Sequence, residues 1–193
     1  MKNVLFNPFE KHSDKKLLCI GLFSILVGAA LGYAFDARYD GVFDLHFIEK
    51  VTLLNSLTDI LITITTTCLM LFLVGKYTNP KTRLIDIFNT CSIAKIPFYL
   101  LTVFNSNHWI YNASTKLLSS IHENLMEVPN FSALIPVLLF SLVTIAGLVL
   151  TIMLLFNGYK VATNAKGTKS IVLFVAALLL AEIFSKIIIS ILN

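Results

Sequence analysis

Charge is what this sequence has least of. Only 13% of its 193 residues are charged, 56% are hydrophobic, and the mean hydropathy is +0.82. A water-facing domain of this length carries about 25% charged residues. Half of that cannot coat a globule in water, so the missing polar surface points to lipid as the solvent. Disorder is excluded by the same composition, since 15 phenylalanines contradict a weakly hydrophobic chain. Cysteine is scarce as well. Cys19, Cys68 and Cys91 are odd in number, form no Cys-x-x-Cys and fall inside apolar stretches. They read as small buried hydrophobes without a redox role.

Familiar chemistry is also missing. There is no P-loop, no dinucleotide fingerprint and no Gly-x-Ser-x-Gly elbow. His122-Glu123 lacks the second histidine of a zinc helix, and neither Asp59 nor Asp86 sits in the Gly-x-Gly-Asp setting of an intramembrane aspartyl protease. No cofactor is expected. The net charge of +4 is modest for a nucleic-acid binder, and no nucleic-acid partner is expected.

What is present is long apolar runs. A spanning helix needs about 20 mostly apolar residues, and five stretches qualify: 17–35, 52–74, 84–104, 132–156 and 171–192. The expected fold is therefore all-α, a five-helix transmembrane bundle occupying the whole chain, with 1–16 as a cytoplasmic tail. Lys15 and Lys16 before the first stretch also suit a signal peptide, but the run is too long and no small-x-small site follows. The third stretch is the weakest, with Asp86, Asn89, Lys95 and Pro97, and is kept because its neighbours need a return crossing. Gly28 and Gly32 have the spacing that lets helices approach closely, or reflect the ordinary tolerance of membrane helices for glycine.

Lysine and arginine set the orientation. Ten of them (Lys2, Lys11, Lys15, Lys16, Lys76, Lys81, Arg83, Lys160, Lys166 and Lys169) fall on one side, against Arg38, Lys50 and Lys116 on the other. This places the N-terminus in the cytoplasm and the C-terminus outside. Asp36, Asp40, Asp44, Glu49, Glu123 and Glu127 then lie outside. Two segments read as interfacial. Asn7-Pro8-Phe9-Glu10, after Val4 and Leu5, has a capping signature; Leu117, Leu118, Ile121, Leu125 and Val128, stopped by Pro129, form an amphipathic face. Trp109, Tyr111 and Tyr39 are expected at the outer headgroups, Tyr77 and Tyr159 at the inner ones. The turns 75–83 and 158–169 resemble each other, which fits either a parallel repeat or the usual composition of such turns. Asn112-Ala113-Ser114 and Asn130-Phe131-Ser132 are sequons.

Five ionisable residues fall inside the spans: Asp59, Asp86, Lys95, Glu182 and Lys186. Each is a functional candidate by default, since insertion costs about 2.5–3.5 kcal/mol. At 1.5 Å per residue, Lys95 and Glu182 both lie roughly 16–17 Å from the inner ends of their helices, and are expected to pair. Lys186 and Asp59 share the outer third and are expected to form a second pair, with Glu182 and Lys186 also i,i+4 neighbours. Such pairs are either structural glue or an ion path. Asp86, beside Arg83, is expected to snorkel or cap at the cytoplasmic interface. In the outer loop Asp36, Asp40, Asp44 and His46, with His108 and His122, offer a metal set or a solvated acidic loop with an Asp40-Gly41 turn.

The Asn7-Pro8-Phe9 start, the five spans, Thr82-Arg83-Leu84-Ile85-Asp86 running into Ala94-Lys95-Ile96-Pro97, and the stretch Phe156-Asn157-Gly158-Tyr159-Lys160-Val161-Ala162 together resemble the bacterial branch of the Yip1 family. The resemblance covers nearly the whole chain and implies a five-helix membrane domain with no catalytic residues. Eukaryotic members act in vesicle trafficking and bind Rab GTPases or partner Yip proteins; with a tail of 16 residues in place of their long cytoplasmic N-terminal domain, this chain is not expected to share Rab binding. The expectation is a non-enzymatic protein of a bacterial inner membrane that organises the bilayer or binds other membrane proteins or itself. The alternative is a small ion- or proton-coupled transporter or channel.

Overall fold

The computed structural model describes residues 6–123 and 131–192. The chain is an all-α polytopic membrane protein with five helical segments long and apolar enough to cross a bilayer. α1 spans Asp14–Ala34, α2 Leu53–Thr78, α3 Leu84–Ala94, α4 Ile96–Leu101, α5 Trp109–Glu123, α6 Phe131–Thr163 and α7 Thr168–Leu192. A 3-10 stretch, Thr102–His108, joins α4 to α5. Between α1 and α2 lies a small antiparallel ribbon, β1 Ala37–Arg38 with β2 His46–Phe47.

The helices outrun the hydrophobic stretches that announce them. α2 continues four residues past 74 and α6 seven past 156, because hydropathy marks where lipid ends and not where hydrogen bonding does. α2 starts where Thr52 accepts a hydrogen bond from the Asn55 N–H at 3.1 Å, a side-chain N-cap. The third span is two helices and not one. Pro97 has no N–H to give the preceding turn, so the helix breaks at Lys95. The helix also stops at Asn105–Asn107, whose dihedrals are non-helical, and Asn107 and His108 both take left-handed φ (54° and 56°).

Ranked by hydropathy, the spans run fourth, fifth, first, second, third; ranked by burial they run in the opposite order. The most apolar window of the third is 67% buried and that of the fourth 17%. The least greasy segment is thus the central one, packed against α1, α2 and α6. Most of its polar residues face protein, while α6 and α7 expose mainly apolar side chains. On α1 the glycine face does pack closely. A Cβ on Gly28 would sit 2.8 Å from three atoms of the Tyr99 ring, and one on Gly32 would collide with Ser56.

Several expectations are corrected. Tyr39 and Tyr159 are buried among the helices, so neither ring faces the headgroups. Cys19 is exposed on α1; only Cys68 and Cys91 are buried. At the N-terminus Pro8–Glu10 makes one 3-10 turn without a side-chain cap from Asn7. On α5, which packs on α6, the expected apolar face is not the buried one: Leu118 is exposed and Leu117 half-buried, while Ile110 and Ala113 are buried, and the side chain of Ile121 lies outside the described residues. Val4, Leu5, Leu125, Val128, Pro129 and Asn130 lie outside the described residues. The two similar turns pack together, with Asn79 Nδ2 donating to the Thr163 carbonyl at 3.1 Å and the Thr78 and Tyr159 hydroxyls 3.3 Å apart. The likeness stops there. α2 and α3 pack side by side, whereas α6 and α7 meet chiefly through Phe156, Tyr159 and Phe174 beside their turn.

Candidate functional site

The α1–α2 loop is the site, and its burial is the surprise. Phe35 ends α1, and Asp36 turns the chain with a left-handed φ of 50°. The Asp36 carbonyl accepts from Ile48 N–H at 3.1 Å and its carboxylate from Val51 N–H at 2.7 Å, so one residue ties both arms of the loop. Asn105 Nδ2 donates to the Phe35 carbonyl at 2.8 Å while its Oδ1 accepts from Tyr111 N–H at 3.0 Å, fastening the loop base to α5. From there the ribbon enters the bundle. Ala37 and Val42 are 0% exposed and Tyr39 is 1% exposed. The Tyr39 hydroxyl donates to the Gly28 carbonyl at 3.0 Å, and its ring meets Tyr99 edge-on at 5.5 Å.

A loop inside a bilayer-spanning bundle brings backbone groups that no ladder satisfies, each costly if orphaned. The intramembrane charges satisfy them. Lys95 Nζ, on the break between α3 and α4, donates to the carbonyls of Gly41 at 3.1 Å and Val42 at 2.7 Å. Glu182 on α7 accepts from the Phe43 N–H at 2.9 Å. Gly41 must be glycine for this approach, since a Cβ there would stand 2.5 Å from Glu182 Oε1. Asp59 on α2, 1% exposed, takes a bidentate pair from Arg38, Nε to Oδ2 at 2.5 Å and Nη2 to Oδ1 at 2.9 Å. The Tyr39 N–H adds a longer contact to Oδ2 at 3.4 Å. Lys186 Nζ bridges Asp44 at 2.8 Å and Glu182 at 3.2 Å.

The expected pairing is therefore corrected. Asp59 and Lys186 do not pair with each other; each reaches into the loop. Lys95 and Glu182 are brought to the same place, but Gly41–Phe43 lies between them as their shared partner. Only the i,i+4 contact of Glu182 with Lys186 stands as expected. Depth arithmetic compared helix with helix and left out a loop that enters from one end.

The metal set is corrected too. Asp36 is engaged by Val51, with His108 3.6 Å from its second oxygen; Asp40 faces His46 at 3.1 Å and Arg38 at 3.8 Å; Asp44 faces Lys186. Each carboxylate already has a donor or cation, and among the described residues no three His, Cys, Asp or Glu side chains converge on a metal position. Gly41 opens a bend over residues 41–43 without a left-handed φ. Burial pushes the Asp40 carboxyl up from the usual range, with His46 and Arg38 pulling it back. The hydrogen bond to Asp59 holds the Arg38 guanidinium above its ordinary value.

At the lysine-rich end Arg83 makes a bidentate pair with Asp86, at 2.9 and 2.7 Å, and also reaches Asp14 at 2.9 Å. The Asp86 bond raises the guanidinium first and Asp14 adds to it. This cluster joins the starts of α1 and α3 and does not touch the loop site. Arg38, Gly41 and Asn105 are the contributors that sequence reasoning missed. The available signal was the alternation of Ala37, Tyr39, Val42 and Leu45 with the charges, which a solvated loop does not need.

Compared with family models, curated proteins and solved structures, the chain matches none. The fold and the site define the class without that help: a multi-pass membrane protein whose intramembrane charges clasp its own first inter-helix loop inside the bundle.

Proposed function

We propose that this chain is a non-enzymatic membrane protein of the Yip1 type that organises the bilayer or binds other membrane proteins or copies of itself. It sits in a bacterial inner membrane with its lysine-rich end in the cytoplasm and its C-terminus outside. One observation carries this reading: the charges of the spans are spent on internal contacts. An intramembrane ionisable group marks a path when it faces a cavity or water. Here Asp59 is closed by Arg38, Lys95 by two carbonyls, and Glu182 by a backbone N–H and Lys186. Of the span charges only Lys186 reaches the nearby hollow of about 480 Å³, beside Arg38, Asp40, Asp44, Ile189 and Ser190, and it is already paired with Asp44 and Glu182; Asp59, Lys95 and Glu182 are not in its wall. The lysine bias of the turns supports the orientation, and the quoted motifs support the family.

Reconstitution tests it. Proteoliposomes under a proton or cation gradient are expected to leak no faster than protein-free vesicles, and Glu182→Gln is expected to leave that baseline unchanged. A flux that the folded wild type carries and folded Glu182→Gln loses would replace this reading with the transporter one.

A further inference from the structure

At the lysine-rich end, between the last turns of α6 and the first turn of α7, the protein has a hollow of about 730 Å³. Its polar wall is Lys160, Lys166, Asn157 and Ser170, with Asn7 and Glu10 from the N-terminal 3-10 turn. Its apolar wall is Phe156, Val161 and Ile171, and the last two are exposed. A second hollow, of about 520 Å³, shares Asn164, Lys166 and Ser170 with the first and adds Lys169 and Tyr77.

Three features give this place a chemistry. First, among the described residues its lysines lack the carboxylate pairing that Arg38, Arg83 and Lys186 have. Among the described residues Lys160 and Lys166 have no carboxylate partner; Lys160 lies over the Phe156 ring, 5.6 Å from its centroid, and Lys169 donates to the Tyr77 hydroxyl at 3.3 Å. Glu10 is the one carboxylate in the lining, against two lysines in the same wall. Second, α7 begins at Thr168 after Gly167, which takes a left-handed φ of 78° and has no side chain to cap the first-turn N–H groups. These donors point the same way as the lysines in charge preference. Third, the hollow is amphipathic in the sense a membrane imposes, with ammonium groups beside its turn and apolar side chains beside its spans.

We infer that this hollow binds an anionic phospholipid, with the phosphate held by Lys160 and Lys166 and an acyl chain running along Phe156, Val161 and Ile171. Basic pockets between spans are places where anionic headgroups are recognised, and the volume falls within the range of built small-ligand sites. A free phosphate monoester shares the charge chemistry but has no use for the apolar wall.

The experiment uses the full chain in a neutral detergent. Binding of phosphatidylglycerol, phosphatidylcholine and free glycerol 3-phosphate is read by native mass spectrometry and by the shift in thermal midpoint. Phosphatidylglycerol is expected to bind saturably, and Lys160→Gln with Lys166→Gln to weaken it roughly tenfold or more. The pair Lys15→Gln with Lys16→Gln, at the same end, is expected to change it less than about twofold, and Lys160→Arg with Lys166→Arg to retain it. Equal losses from both glutamine pairs, or equal binding of phosphatidylcholine, would reduce the site to general attraction and overturn the inference. So would binding of glycerol 3-phosphate as tight as that of the lipid, or an arginine pair as weak as the glutamine pair.

Discussion

Replacing Asp59 with alanine is expected to destabilise the folded protein by about 3–5 kcal/mol, because it leaves the buried Arg38 guanidinium without its counter-ion. Asp40, 3.8 Å away and half-buried, recovers only part of the loss. The double variant Arg38→Met with Asp59→Leu is expected to return to within about 1 kcal/mol of the wild type, since apolar groups of similar volume need no partner. Reversible unfolding in mixed micelles measures both. The contrast between single and double is the informative part. A single variant costing less than about 1 kcal/mol means that Arg38 reaches water, and the loop then lies outside the bundle.

The second large effect is expected at Gly28. Here α1 lies against Tyr99, whose ring is buried and held edge-on by Tyr39, which in turn bonds the Gly28 carbonyl. Each partner blocks the retreat of the next. Gly28→Ala is expected to cost about 1–2 kcal/mol, the overpacking penalty reduced by the better helix propensity of alanine. Gly28→Val is expected to cost about 3 kcal/mol or more. Truncating the ring with Tyr99→Leu makes room, so the double variant Gly28→Val with Tyr99→Leu is expected to be more stable than additivity allows by about 1–2 kcal/mol. Additive losses would mean that the helix and the ring do not meet.

The number of crossings was legible because hydropathy reports the solvent around a segment. It also held the clue to arrangement: the stretch spoiled by Asp86, Asn89, Lys95 and Pro97 is the one the other helices surround. Gly28 and Gly32 were legible as a packing face. What could not be read was the partner of each charge. Periodicity describes helices and strands, and residues 35–52 have neither pattern for long enough to show that they turn inward. Arg38, Asp40 and His46 looked like a solvated run: the interleaved Ala37, Tyr39, Val42 and Leu45 hint at burial, but nothing local tells a charge solvated by water from one paired with Asp59, 21 residues on. Pro97 was visible, but its consequence was not: the break it makes at Lys95 puts an ammonium where the loop carbonyls of Gly41 and Val42 arrive.

Thiol labelling of the loop tests that clasp most directly. With the three native cysteines replaced, single cysteines at Lys50, which is exposed, and at Val42, which is fully buried, are treated with a membrane-impermeant maleimide. Lys50→Cys is expected to label freely and Val42→Cys roughly 100-fold more slowly or worse, as local opening requires, with Lys95→Met raising the slow rate. Equal labelling at both positions, indifferent to Lys95, would contradict the account.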